Sequence, residues 1–268
     1  MTDPVATAVA ALSAISLGEL KANAELQTRK DRKYIVPVSM LSSILSSCDL
    51  RALEVEDRRS FRYESVYFDT PSRTSYRAAA QKRRRRFKVR TRSYLDTGIC
   101  RLEVKTRAGR GLNSKTRMGY SIEQRTTLTN RAVDFLSDFE LIAPLRRDLE
   151  PVITTSYRRS TLFDPEASSR ITVDTGLVWR TPDGACAQLT DVAIVETKTG
   201  GSPCRVDRRL WEAHHRPTKI SKYGTGLAAL APGLPANKWS RVLRHHFDGE
   251  RAQPALAGMT GAPVPGPS

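Results

Sequence analysis

Residues 82–105, KRRRRFKVRTRSYLDTGICRLEVK, constrain the fold more than any other part of the chain. Successive side chains of a strand point to opposite faces. On a first strand, parity gathers Arg86, Lys88, Arg90 and Arg92 on one face and Phe87, Val89 and Thr91 on the other. A second strand sorts the same way, with Arg101, Glu103 and Lys105 against Leu102 and Val104. Asp96-Thr97-Gly98 supplies a hairpin turn between them. Each strand therefore has one apolar face and one crowded with cations around a single carboxylate. The wet face of an ordinary antiparallel sheet is polar, and its charges are usually mixed in sign. Two like charges about 4 Å apart at a dielectric of about 20 repel by about 4 kcal/mol. A chain tolerates that where a polyanion normally sits among the cations.

The pattern recurs along the chain. Residues 29–36 put Arg29, Asp31 and Lys33 opposite Tyr34 and Val36. Residues 61–69 are rich in aromatic and β-branched side chains and stop at Thr70-Pro71-Ser72. In 151–159, Tyr157 and Arg159 share a face; in 170–175, Thr172 and Asp174 oppose Ile171 and Val173. In 192–198, Ile194, Glu196 and Lys198 share a face. Helices are expected at 17–26, 75–81, 130–139, 207–214 and 237–247, and after Ser39, an N-cap for Met40, Leu41, Ile44 and Leu45. Residues 109–119 read as a flexible basic loop that could serve as a lid, and 219–224 as a compact basic segment.

Strands with one charged parity, alternating with helices that need a surface to bury, predict an α+β fold. Its sheet would close into an antiparallel barrel, charged parity inward and helices outside. Arg90 and Arg92 suit such a lumen because a guanidinium forks onto two phosphate oxygens. Lys33, Lys105, Lys198 and Lys222 would act as compact point charges. Glu103 and Glu196 each stand two residues before a lysine. One such pair alone reads as a salt-bridged strand face. Two of them beside an Arg-x-Arg strand point to a divalent ion bridging carboxylate and phosphate.

The net charge of +16 favours polyanionic partners without choosing among them. Four cysteines, with no CxxC pair, argue against a zinc site or a disulfide framework. No stretch is apolar and long enough to span a bilayer, and the N-terminus lacks a basic leader region, so a cytoplasmic location is expected. Residues 1–24 read as a helical or disordered extension, 25–247 as the barrel domain, and 248–268 as a disordered Ala/Gly/Pro tail. The adjacent pairs His214-His215 and His245-His246 lack metal-ligand spacing. Trp179, Trp211 and Trp239 read as packing residues and Asp207 as a helix cap. Asp69 and Asp174 are secondary candidates for metal binding or positioning. The basic run 82–86 is no specific nucleic-acid site by this reading, because Phe87 has the wrong parity and Tyr94 stands alone.

In order, RKYIV, SVYFDT, FKVRTRSY, RLEVK, TSYRRS, TVDTGL, VETK and KISKYG resemble the VTC domain, a polyphosphate polymerase module of the triphosphate tunnel metalloenzymes. The resemblance spans about residues 27–226. It implies an antiparallel β tunnel lined by Lys33, Arg90, Arg92, Lys105, Arg159, Lys219 and Lys222. Glu196 would bind metal, and Tyr157 and Ser221 would touch phosphate; Glu103 and Lys198 face the same lumen by parity. The implied reaction is transfer of the ATP γ-phosphate to a polyphosphate chain with Mn2+ or Mg2+. Two other readings remain: a triphosphatase or nucleoside triphosphatase of the same fold, and a non-catalytic binder of polyphosphate or nucleic acid. The first strand lacks the Glu-x-Glu-x-Lys pattern of the CYTH branch, which counts against thiamine triphosphatase or adenylyl cyclase activity. The chain also lacks an SPX-like regulatory domain and membrane segments, so synthesis coupled to translocation is not implied.

Overall fold

A computed structural model describes residues 4–23, 30–107 and 113–247. The chain begins with α1 (Pro4–Ala10), β1 (Ser13–Ile15), α2 (Leu17–Asn23), β2 (Lys30–Pro37), α3 (Val38–Ser46) and β3 (Arg51–Leu53). β4 (Phe61–Asp69), α4 (Thr74–Ala80), β5 (Arg86–Tyr94), β6 (Ile99–Arg107) and β7 (Asn113–Tyr120) follow. Next come α5 (Asn130–Ser137), β8 (Glu150–Asp164), β9 (Ser169–Arg180), β10 (Cys186–Leu189) and β11 (Val192–Thr199). α6 (Arg205–Glu212), α7 (Lys222–Leu230) and α8 (Ser240–His246) end the described chain.

One sheet organises these elements. Its main path runs β2-β11-β9-β8-β4-β5-β6-β7, and every step is antiparallel. β10 adds to β9, and β3 joins the short parallel strand β1 to β8. The fold is thus α+β and sheet-rich, as expected. The expected closed barrel is not formed by strand pairing: among the described residues the path is open, with β2 at one end and β7 at the other. The sheet nevertheless curls. Five strand spacings of about 4.8 Å would put β2 and β5 about 24 Å apart in a flat sheet. Yet Lys33 of β2 is among the charges acting on Lys88 of β5. The segment before α7 helps to span this gap. Thr218 donates to the Lys33 carbonyl at 2.7 Å, and three residues later the Ser221 hydroxyl lies 3.4 Å from Lys88 Nζ.

Parity assigns the faces. Outward side chains of β2, β9 and β11, among them Tyr34, Val173 and Val195, pack against α1, α3 and α6. Outward side chains of β4, β5 and β6, among them Phe68, Val89 and Leu102, pack against Ala132 and Leu136 of α5. Thr129 caps α5 by accepting from the Ala132 amide at 3.3 Å. Each fully buried Leu, Ile or Phe stabilises such a layer by about 1.5–3 kcal/mol. Asp207 ties the first layer together. It caps α6 through the Cys204 amide at 3.0 Å and also accepts from Tyr34 (2.6 Å), Thr197 (2.7 Å) and Arg32 (3.3 Å).

Besides closure, the fold departs from the sequence reading in several places. Ser39, the expected N-cap, lies inside α3, which starts at Val38 behind Pro37 with no side-chain cap. Residues 113–119 belong to strand β7 and not to a flexible lid, because β6 offers them a full antiparallel partner. Residues 108–112 lie outside the described residues, as does the expected tail at 248–268. At the start of the chain the helical alternative is the one seen, and α1 buries Val5 and Val9 in the first core layer. Finally, the inward face is not charged throughout. Ile153, Tyr67 and Ile194 form an apolar floor on it, covered by Tyr223 and Leu227 of α7 and Val242 of α8.

Candidate functional site

Above that floor, the inward face holds three carboxylates, each clasped by cations: Glu103 and Asp174 are buried and Glu196 is half-buried. Glu103 on β6 lies opposite Arg90 on β5. It accepts from Arg90 Nε at 2.8 Å and Nη2 at 2.6 Å, from Lys115 of β7 at 2.7 Å, and has Arg92 Nε 4.0 Å away. Asp174 on β9 takes a two-pronged Arg159 from β8, at 2.6 and 2.8 Å, and also Lys222 at the start of α7. Glu196 on β11 bonds Lys33 of β2 through one oxygen and Lys198 through the other. Burial alone would raise each carboxyl, but Arg90 and Arg92, Arg159 and Lys222, and Lys33 and Lys198 respectively hold it well below the usual carboxylate range.

Aromatic rings join these groups. Tyr63 of β4 stacks on Tyr157 of β8 with centroids 5.4 Å apart and lies beside Tyr94 at 5.0 Å. Arg92 (5.9 Å) and Arg159 (5.3 Å) both sit over the Tyr63 ring, and Lys222 lies 4.5 Å from Tyr157. Tyr67 receives Arg90 Nη1 at 3.1 Å and stacks on Tyr223. Lys88 stands 5.8 Å from the Tyr67 ring and 5.7 Å from the Tyr223 ring. Burial holds the Lys88 ammonium down to about 8, helped by Arg90, Lys105 and Lys33 and opposed by Tyr67. Lys198 is also held at about 8, mainly by burial, with Glu196 opposing. The Tyr67 phenol falls to about 8 because Arg90, Lys88 and Arg92 overcome its burial.

Five buried side-chain atoms among the described residues lack any hydrogen-bond partner: Ser65 Oγ, Arg92 Nε, Thr155 Oγ1, Tyr157 Oη and Thr172 Oγ1. All five lie on the inward parity, since Ser65 pairs with Arg92 and Thr155, and Thr172 with Glu196. An unsatisfied buried polar atom costs about 1–3 kcal/mol. Five on one face, beside cations that outnumber the carboxylates, define a cradle for a polyanion with many acceptor oxygens.

Most sequence-predicted residues meet here: Lys33, Arg90, Arg92, Glu103, Tyr157, Arg159, Glu196, Lys198 and Lys222. Ser221 caps α7 through the Gly224 amide at 3.2 Å and also receives Lys88, so its hydroxyl proton remains for a ligand. Lys105 is exposed, yet its charge acts on Lys88. Lys219 is the exception. It is exposed and joins none of the three carboxylates, because Ser221 turns the chain into α7 only after it. Asp69 is a structural anchor rather than a metal ligand. It accepts from the amides of Thr70, Ser75 and Tyr76 at 2.8–2.9 Å and from the Tyr223 hydroxyl. The sequence reading overlooked Lys115, hidden in the expected loop, and Tyr63 and Tyr67. Parity on β4 places both tyrosines inward once its pairing with β5 is known.

Among the described residues, no three His, Cys, Asp or Glu side chains converge. Both oxygens of Glu103 and Glu196 already accept from cations. This donor set does not suit an all-protein metal cage. It suits a hard dication carried in by phosphate oxygens with one protein carboxylate as a further ligand.

An open, curled antiparallel sheet with a cationic inner face and helices behind it defines this α+β domain. The chain belongs to the VTC domain family, whose model matches residues 28–231. Solved structures resemble it distantly. A candidate adenylate cyclase from Vibrio parahaemolyticus is 16% identical, over 76% of this chain and 99% of its own, with a TM-score of 0.45. A Hippeastrum protein described as having a dominant triphosphatase activity is 16% identical, over 74% and 94%, with a TM-score of 0.45. The PH1012 protein of Pyrococcus horikoshii is 13% identical, over 73% and 98%, with a TM-score of 0.39. No curated protein matches the chain. No helix among the described residues is long and apolar enough to cross a membrane.

Proposed function

We propose that this chain is a phosphotransferase that moves the γ-phosphate of ATP onto a polyphosphate chain along the inward face of the sheet. The observation that carries this reading is the coincidence of five orphaned polar atoms with a surplus of cations on that one face, in a VTC domain. Arg90, Arg92 and Arg159 would fork onto phosphate oxygens, and Lys33, Lys88, Lys198 and Lys222 would act as point charges between them. These cations would absorb the negative charge that spreads over the transferred group in the transition state. The terminal oxygen of the growing chain is the nucleophile, so the protein aligns phosphate against phosphate and forms no covalent intermediate. Glu196 is the proposed protein ligand for Mn2+ or Mg2+, with Glu103 second, and the ion would neutralise charge on the β- and γ-phosphates.

The test is product analysis with labelled ATP and Mn2+. Wild type should yield ADP and acid-labile polymer. Arg90→Ala and Glu196→Gln should each lower turnover by at least a hundredfold with an unchanged near-UV spectrum. Unaltered synthesis in both variants would remove the site assignment. Orthophosphate in place of polymer would make the same face a triphosphatase.

A further inference from the structure

The cation row on β5 does not end with the carboxylate clusters. Arg92, Arg90, Lys88 and Arg86 occupy alternate positions of one face, so they step out of the cradle about 6.7 Å at a time. Arg86 faces Arg107 across the β5–β6 register, and burial together with that like charge lowers its pKa. Nearby, Lys238 feels Arg86, Lys82 and Lys219, and burial together with these three cations holds its ammonium below the ordinary value. The geometry brings them together: the Ala79 carbonyl accepts from Lys238 Nζ at 2.7 Å and from the Lys82 amide at 3.3 Å, and Arg86 Nη1 donates to the Arg83 carbonyl at 2.6 Å. Inside the cradle every cluster contains a carboxylate. Here, among the described residues, none of Lys82, Arg86, Arg107, Lys219 and Lys238 pairs with one. Arg85 next door does, with Glu140, so acidic partners are available to this surface but not to these five.

We propose that Lys82, Arg86, Arg107, Lys219 and Lys238 form a second anion site, outside the reaction cradle, that holds the polyphosphate chain where it leaves beside the N-terminus of α7. The inference rests on the phosphotransferase reading. Lys88 links the two sites, reaching Ser221 from the strand that carries Arg86. A linear, flexible polyanion can follow a straight row of cations from one site to the other. Single-stranded nucleic acid binds through exposed aromatic platforms as well as charge. The aromatic ring at this patch, Trp239, is buried at 2% exposure beneath Lys238. The patch also accounts for Lys219, which the reaction cradle does not use.

The test compares tripolyphosphate, short enough for the cradle alone, with long-chain polyphosphate. The variant is Lys82→Asn with Arg86→Gln and Lys238→Gln; Asn suits Lys82 because its φ is 58°. Long-chain affinity should fall on the order of tenfold, as expected for the loss of charge contacts. Tripolyphosphate affinity should hold and polymer made from ATP should shorten. Equal losses for both ligands, or none for the long chain, would overturn the proposal. So would wild type binding a single-stranded oligonucleotide of matched charge as tightly as polyphosphate. If the variant does not fold, wild type decides: its salt slope should be steeper for the long chain than for tripolyphosphate, and equal slopes overturn the second site. Absence of any polymer from wild type with ATP would count against the phosphotransferase reading alone, since the two affinities are measured without turnover.

Discussion

At the scale of single residues, buried charge makes the sharpest predictions. Asp174 is fully buried between Arg159 and Lys222. Asp174→Asn leaves two cations facing each other, and removing one partner of a buried pair costs about 3–5 kcal/mol. Urea denaturation should show that loss, and saturating tripolyphosphate should recover part of it by supplying the missing negative charge. The carboxyl is held below its ordinary value of about 3.9, so its contribution is complete above that value and disappears as pH falls toward the folded-state value. Wild-type stability should therefore drop as pH falls below about 4, more steeply than that of the Asn variant. Lys88 and Lys198 are also lowered, to near 8, but there burial disfavours the charged form, whereas the cations around Asp174 favour its charged form. Between pH 8 and 10 the unfolded chain binds more protons than the folded one, so their contribution to stability rises with pH. Anion affinity should fall over the same range as the ammonium groups lose charge. Titration calorimetry with tripolyphosphate should show proton uptake near pH 8, diminished in Lys88→Gln; no uptake in wild type would contradict this assignment.

Among the elements, α7 does most to shape the site. It carries Lys222, begins at Ser221, and lies on the apolar floor of the cradle. It can do so because Gly224 and Gly226 let two tryptophans approach the helix backbone. A Cβ at Gly224 would stand 2.3 Å from Trp239, and one at Gly226 2.1 Å from Trp179. The Trp179 ring cannot retreat easily, because its Nε1 donates to the Lys222 carbonyl at 2.6 Å. Gly226→Ala should cost about 1–3 kcal/mol by overpacking. Because it displaces the helix that presents Lys222, it should also weaken tripolyphosphate binding. Thermal melts and calorimetry measure the two effects, and a destabilised variant with unchanged affinity would show that α7 does not position the site.

On the scale of the whole molecule, the folded chain concentrates a net charge of +16 and aims much of it at one face. Self-repulsion of that face opposes folding, and a bound polyanion relieves it. Ligand at a hundred times its Kd should stabilise the native state by about 2.7 kcal/mol. The accompanying rise in Tm should shrink as salt increases, because screening weakens both the repulsion and its relief. A rise insensitive to salt would mean that the ligand binds elsewhere.

Much of this architecture was legible in the sequence because strand parity is a local property. FKVRTRSY and RLEVK sort their own side chains, so the charged inner face and the apolar outer layer follow without knowledge of any partner strand. The same logic put Glu196 and Lys198 on one face, and spacing found α5, whereas 219–224 read only as a compact basic segment and α7 with its cap at Ser221 came from the tertiary structure. Which charges meet could not be read that way. Lys222 reaches Asp174 across 48 residues and Lys33 reaches Glu196 across 163, and register between distant strands depends on packing the whole sheet. The strand at 113–119 is weak in isolation and exists because β6 pairs with it. Closure, too, is a tertiary property: local twist allows either a ring or an open curl, and α7 and α8 pack onto the inner face where a ring would have left space.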